Sequence, residues 1–292
     1  MDHNELKQHT LIGIDLGATN VRVARIRGNT IEQVKSKKIV HSDDPDDLLN
    51  QIESLIKQVD QEEVQSIGIG VPSVVDVEEG IVYDVQNIPS WNKVPVKSIL
   101  EKAFDKPVYV NNDANCFVLG EKFFGKGQGY ESIVGLTLGS GFGSGLILDN
   151  KLYAGANCGA GEVGMFPYQD SIFEHYCSGM FFEQVYGKSG TEVFEKAEQD
   201  NPGAKRMYEE FGKHLGNAIK TVMYAYDPQL IVMGGSIRKA FSYFKESMYR
   251  EMQSFAYPNS LQSLKIEVSE LDEVAVLGAA ALALNPQKLT NK

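Results

Sequence analysis

Cysteine is scarce in this chain: Cys116, Cys158 and Cys177 are the three in 292 residues, far apart and odd in number. They make no C-x-x-C pair and no disulfide framework, so a reducing cytoplasm is the expected setting. Each reads as a small buried hydrophobe. Tryptophan occurs once, at Trp91, and no apolar run approaches the roughly 20 residues of a membrane span. The first ten residues are polar and lack the apolar core of a secretory signal. Positive charge is in deficit, with 28 Lys and Arg against 39 Asp and Glu and a net charge of −11. Phosphate backbones are bound by clustered Lys and Arg, so no nucleic-acid partner is expected. A single nucleotide remains open, because backbone amides and Mg²⁺ can hold its phosphates.

What is present is apolar material enough for sizeable cores: 42% of residues are hydrophobic and 23% charged. The length suits one large domain or two ordinary ones. Leu11–Ile14 and Val21–Ile26 read as strands joined by Asp15-Leu16-Gly17-Ala18-Thr19-Asn20. The small residues of that turn let backbone N–H groups approach an oxygen-rich ligand, Asp15 can hold a hydrated Mg²⁺, and Thr19 can donate to a phosphate. An ordinary hairpin turn has the same composition. Asp44 then caps a helix with Pro45 at its first position, and Leu48, Leu49, Ile52, Leu55, Ile56 and Val59 form its apolar stripe. Ser66–Val71 and Ile81–Val85 return as strands, which makes an α/β unit. The loop Gln86–Pro95 carries Asn87, an amide suited to a hydroxyl, and Trp91, either a wall for a sugar ring or a piece of core.

After a helix over Val96–Phe104, the stretch Val108–Glu121 changes period from strand to helix at Asn111-Asn112-Asp113. Ligands of open α/β sheets bind where strands end and helices begin. Asp113 there is either a general base flanked by amide side chains or the N-cap of its own helix.

The second half repeats the plan. Strands Ser132–Leu138 and Gly143–Leu148 flank Gly139-Ser140-Gly141, the counterpart of the first turn. The Gly- and Ala-rich loop Lys151–Gly164 brings backbone close to a ligand and offers Glu162 to hydroxyls. His175 reads as an ordinary partly buried histidine. A long amphipathic helix from Met207 to Tyr226 stops before Pro228, and the strand Leu230–Met233 ends in Gly234-Gly235, a pair that lets adenine or ribose lie against backbone. A last strand, Leu264–Val268, and an Ala-rich helix, Val274–Leu284, precede a tail expected to fray.

In order, D-L-G-A-T-N, Q-N-I-P-S-W-N, N-N-D-A-N-C-F-V-L-G-E, T-L-G-S-G-F-G-S-G, G-A-N-C-G-A-G-E-V-G, D-P-Q-L-I-V-M-G-G-S and L-G-A-A-A-L resemble the ROK family of sugar kinases and sugar-responsive repressors. The resemblance runs from about Ile12 to Leu282 and implies an α/β fold of actin/hexokinase-like (ribonuclease H-like) type. It implies two α/β domains, 1–115 and 116–292, with an interdomain cleft where sugar and ATP meet, and with the last helix packing back on the N-terminal domain. It implies that Asp113 takes the proton of a hexose 6-hydroxyl, and that Asn87, Asn112, Glu162 and Glu174 bind sugar hydroxyls. Gly17, Thr19, Asn20, Gly139, Ser140 and Gly141 match the phosphate loops, Asp15 the Mg²⁺ position, and Gly234-Gly235 the adenosine site. ATP and Mg²⁺ are the implied cofactors and a homodimer the implied assembly.

Two departures stand out. Met165 replaces the family's usual histidine, and only Phe166–Phe173 separates it from Glu174, where a cysteine-rich zinc loop normally lies. A structural zinc takes about four Cys or His ligands, and this segment offers none, so no zinc is expected. Phosphoryl transfer to glucose, with Asp113 as base, is the expected activity. N-acetylglucosamine, N-acetylmannosamine, mannose, fructose and allose are the alternatives, and a non-catalytic sugar sensor or repressor the rival class. Repressors carry a helix-turn-helix ahead of the first phosphate turn, whereas Asp15 follows only fourteen residues.

Overall fold

The computed structural model describes residues 9–85 and 87–284. Gln86 and the tail Asn285–Lys292, expected to fray, lie outside the described residues. Two compact units are present: the first takes residues up to 129, 145–160 and from 271 on, the second 130–144 and 161–270.

In the first unit β1 (Thr10–Leu16), β2 (Asn20–Arg27) and β3 (Thr30–Lys38) form an antiparallel meander. After α1 (Pro45–Val59) come β4 (Ser66–Val71), β5 (Val74–Asp76), β6 (Ile81–Tyr83), β7 (Lys93–Val94), α2 (Val96–Phe104), β8 (Val108–Asn112) and α3 (Asp113–Phe124). The main sheet has the order β3-β2-β1-β4-β8, with β4 parallel to both β1 and β8, and β5-β6-β7 form a small sheet of their own. Asp44 caps α1 as expected, its carboxylate accepting the Asp46 N–H at 2.9 Å, and the whole apolar stripe of α1 is buried. β4 is buried along its entire length, which is why its sequence shows a continuous apolar run in place of alternation. Not anticipated was β3, whose Lys35, Lys37 and Lys38 stand on an edge strand, where charge opposes pairing with another chain. α3 runs unbroken through residues 115 and 116, where the sequence reading divides the domains. Residues 114–121 are buried together, and all of α3 belongs to the first unit.

The second unit repeats the hairpin-plus-parallel plan. Its strands are β9 (Ile133–Leu138), the start of β10 (Phe142–Leu148), the hairpin β12 (Pro167–Tyr168) with β13 (Ser171–Ile172), β14 (Leu230–Gly234) and β15 (Lys265–Val268); β10 from residue 145 on and β11 (Lys151–Leu152) are grouped with the first unit. The sheet order is β11-β10-β9-β14-β15, with β14 parallel to β9 and β15. Helices α4 (Phe173–Cys177), α5 (Gly179–Tyr186), α6 (Gly190–Glu198), α7 (Pro202–Tyr226), α8 (Phe241–Met252) and α9 (Pro258–Ser263) complete it. α7 begins five residues before the expected Met207, because Asn201 caps it, accepting the N–H groups of Gly203 and Ala204, and Pro202 takes the first position.

The final helix, α10 (Val274–Ala281), lies on β1 and β4 of the first unit. Only glycine fits beneath it: a Cβ on Gly13 would stand 2.0 Å from the Val276 carbonyl oxygen, and one on Gly68 1.8 Å from that of Ala279. Small residues on both surfaces let backbone meet backbone, which accounts for the Ala-rich sequence.

Candidate active site

The β8–α3 junction is level with the first turn across three strands: Asp15 pairs with Gly70, and Gly70 with Asn111. Gly70 is required by this packing, since its Cβ would stand 2.9 Å from Cys116 Sγ and 3.6 Å from the Asp113 Cα. Asn112 is the N-cap of α3, in extended conformation, its Oδ1 accepting the Ala114 N–H at 2.9 Å. Its Nδ2 reaches the Ser73 carbonyl at 3.3 Å. Asp113, a candidate for the cap itself, is instead the first helical residue, half-buried, with its Oδ1 accepting the Ala114 N–H at 2.8 Å. The reason is steric order: the cap needs extended backbone, and β8 supplies it one residue earlier, at Asn112. The carboxylate is thereby set on the first turn, where the helix dipole favours its charge.

Asp15, one residue before the end of β1, lies opposite Arg22 on β2, with 3.8 Å between Oδ2 and Nη1. Burial pushes its carboxyl up to about 6; Arg22 pulls it down and Glu273 pushes it further up. Among the described residues, Glu273 Oε2 is buried with no hydrogen-bond partner. Two carboxylates against one loosely held guanidinium leave negative charge under-compensated, which fits a cation. Mg²⁺ typically takes one or two carboxylates plus waters and substrate phosphates, so Asp15 suits it. Gly17 N donates to the Asn20 carbonyl at 3.0 Å, closing the turn, with Ala18 and Thr19 exposed at its tip. Asn87 is exposed on its loop.

In the second unit the Gly139–Gly141 turn is closed by Gly139 N on the Gly141 carbonyl at 3.0 Å, and the Gly139 carbonyl accepts the Gly179 N–H at 2.7 Å. A Cβ on Gly139 would find only Ser236 Oγ, at 3.7 Å, so the strand end stays open beside Gly234-Gly235. Gly235 has φ +78°, and its Cβ would stand 2.1 Å from the Leu138 carbonyl oxygen. Those glycines fit a nucleotide brought against backbone. Ser140 is exposed at the tip of the turn. Glu174 is held by the Phe142 N–H, 2.8 Å from its Oε2. Glu162 sits near it, its carboxyl raised by burial first and by the Glu174 charge second. Two carboxylates kept near one another suit a polyol, whose hydroxyls donate to both.

The structure decides between the two readings of Trp91. Trp91 is fully buried, its Nε1 donating to the Pro45 carbonyl at 3.3 Å, and belongs to the core; it is no wall for a ligand. His175 is half-buried beside Ser171, 2.6 Å between Nδ1 and Oγ. Among the described residues no group of three or more His, Cys, Asp or Glu is placed to hold a metal ion. The short segment after Met165 is organised by rings: Tyr168 stacks on Phe173 at 4.4 Å, and its hydroxyl lies 3.1 Å from His214 Nδ1. The contributions of Arg22, Ser73, Gly179, Ser236 and Glu273 are not foreseen in the sequence. Only Ser178-Gly179 carries a local sign, a serine N-cap ahead of α5. Glu273 meets Asp15 from the far end of the chain, where no local pattern reveals it.

Two α/β units, each a hairpin extended by parallel strands with its polar residues at strand ends, define an actin/hexokinase-like fold. The chain belongs to the ROK family, whose model matches residues 11–286. It is 27% identical to a glucokinase of Thermotoga maritima, over 93% of this chain and 96% of that protein. It is 28% identical to a xylose repressor of Caldicellulosiruptor bescii, over 94% of this chain and 78% of that one. It is also 28% identical to an N-acetyl-D-glucosamine kinase of Haemophilus influenzae, over 93% and 98%. A ROK glucokinase from Streptomyces griseus, solved with glucose and AMPPNP, superposes with a TM-score of 0.79 at 22% identity, over 94% of this chain and 98% of its own.

Proposed function

We propose that this protein is an ATP-dependent sugar kinase that phosphorylates the 6-hydroxyl of a hexose, glucose foremost. The observation that carries the reading is the division of labour at the β8–α3 junction: Asn112 caps the helix and leaves Asp113 a carboxylate on the first turn. Asp113 accepts the proton of the 6-hydroxyl as that oxygen attacks. Asn87, Asn112, Glu162 and Glu174 hold the remaining hydroxyls, the amides donating or accepting and the carboxylates accepting. Amides of the turns at Gly17, Thr19 and Asn20 and at Gly139, Ser140 and Gly141 take phosphate oxygens, and Gly234-Gly235 receives the adenosine. Mg²⁺, with Asp15 as its protein carboxylate, supplies charge neutralisation at the phosphates. Phosphoryl transfer asks mainly for such positioning and neutralisation. A homodimer in the cytoplasm goes with the same reading.

Hexosamines are the second reading. Met165, 57% exposed and three residues past Glu162, is apolar where the family usually has histidine, which suits an N-acetyl methyl at the sugar's C2 side. The test is ADP release with ATP–Mg²⁺ over glucose, mannose, fructose, allose, N-acetylglucosamine and N-acetylmannosamine. Turnover with glucose leading is expected. If no sugar stimulates ATP use, the kinase reading fails, and if an acetylated sugar leads, the second reading replaces the first.

A further inference from the structure

Three donors converge on one buried amide oxygen. Asn111, 2% exposed, accepts at its Oδ1 the Asn112 backbone N–H at 2.9 Å, Asn115 Nδ2 at 2.9 Å and Cys158 Sγ at 3.2 Å. Two of these come from the same strand–helix segment. Cys158 comes from the loop after β11, more than forty positions along the chain but within the first unit.

The backbone at Cys158 is also unusual. It stands at φ +59°, in the left-handed region that L side chains rarely adopt, and it is 3% exposed. Glycine would take this conformation without strain. Its sulfur is set against the Asn111 Oδ1, 3.2 Å away. The backbone of Asn112 and Val75 and the side chain of Asn115 favour the thiolate. Burial outweighs these neighbours and holds the thiol above its ordinary range, so it stays S–H and donates. No solvent reaches Asn111 to take over that bond.

We infer that Cys158 is a positioning residue for Asp113: its thiol pins Asn111, and through Asn111 it holds the last strand residues on which the first helical carboxylate is aimed. The inference rests on Asp113 being the base. A carboxylate displaced by about 1 Å from the reacting hydroxyl costs on the order of a hundredfold in rate, so a clasp of this kind belongs to the catalytic geometry although it touches no substrate.

Cys158→Ser, Cys158→Ala and Cys158→Gly, with Asp113→Asn alongside, test it in the full chain with ATP–Mg²⁺ and glucose, and again with N-acetylglucosamine. Serine keeps a donor, alanine removes it, and glycine removes it while relieving the backbone. The expected result is a kcat roughly tenfold or more down in the Ala and Gly variants, with sugar KM little changed and with kcat restored by Ser. Amide hydrogen exchange at Asn112 and Ala114 should quicken in Ala and Gly and stay slow in Ser, a readout independent of turnover. A Gly variant that melts no lower than wild type yet loses kcat separates positioning from folding. Wild-type kcat in Ala or Gly, or a Ser variant as slow as Ala, overturns the inference. Near-normal kcat in Asp113→Asn overturns the base assignment instead, whatever Cys158 does.

Discussion

Asp15 and Arg22 face one another as register partners across the first hairpin, 3.8 Å apart, yet burial pushes the Asp15 carboxyl up to about 6. Burial raises the carboxyl more than the Arg22 guanidinium lowers it, and the Glu273 charge adds a smaller push upward. Asp15 is ionised at a cost to the fold. Its folded pKa lies above the unfolded value of 3.8, so its contribution to stability is full below about pH 4 and is lost as pH rises through about 6. Asp15→Asn is therefore expected to raise thermal stability at pH 7, by on the order of 1–3 kcal/mol, with the gain vanishing below about pH 4. The same variant should lose Mg²⁺-dependent turnover. Melting curves between pH 4 and 8 check the first statement and ADP release the second; a variant less stable at pH 7 contradicts the charge argument.

Asn112 and Asp113 separate structure from chemistry. Asn112→Ala should cost about 1 kcal/mol through the lost cap, whereas Asn112→Ser retains capping and should raise sugar KM with little change in melting. Asp113→Asn should melt near wild type and lose about 10²–10⁴ in kcat. Equilibrium urea unfolding beside steady-state kinetics distinguishes them.

The glycines of the second unit divide in the same way. Gly235→Ala places a methyl 2.1 Å from the Leu138 carbonyl oxygen at φ +78°, and should destabilise by about 2 kcal/mol or more. Gly139→Ala meets nothing nearer than 3.7 Å, so the fold should keep its melting temperature while ATP KM rises. A Gly139→Ala variant that binds ATP normally would remove that turn from the nucleotide site.

Glu162→Gln removes one of two neighbouring carboxylates. Because its carboxyl is held above the ordinary range by burial and by Glu174, neutralising it should leave stability at pH 7 equal or slightly higher. Sugar KM should rise with kcat less affected. Isothermal titration with glucose is the direct check, and unchanged affinity would exclude Glu162 from the sugar site.

What the sequence determined by itself was local and periodic. The stripe of α1 with its Asp44 cap, the buried run of β4, the paired glycine turns and the strand-to-helix switch at Asn111–Asp113 follow from spacings of two, three and four residues and from turn chemistry, which need no distant partner. The family resemblance likewise lies in ordered motifs of the sequence. Tertiary structure decided what depends on register and on segments remote in the chain. Extended backbone at the end of β8 made Asn112 the cap and Asp113 the first helical residue. Packing over Pro45 drew Trp91 into the core, and α10, arriving from the far end on a floor of glycine, put Glu273 beside Asp15. At Cys158 the sequence shows a small hydrophobe; only the fold shows a thiol on a left-handed residue holding Asn111, because a hydrogen bond between residues 111 and 158 exists only once the end of β8 and a separate loop have been packed together.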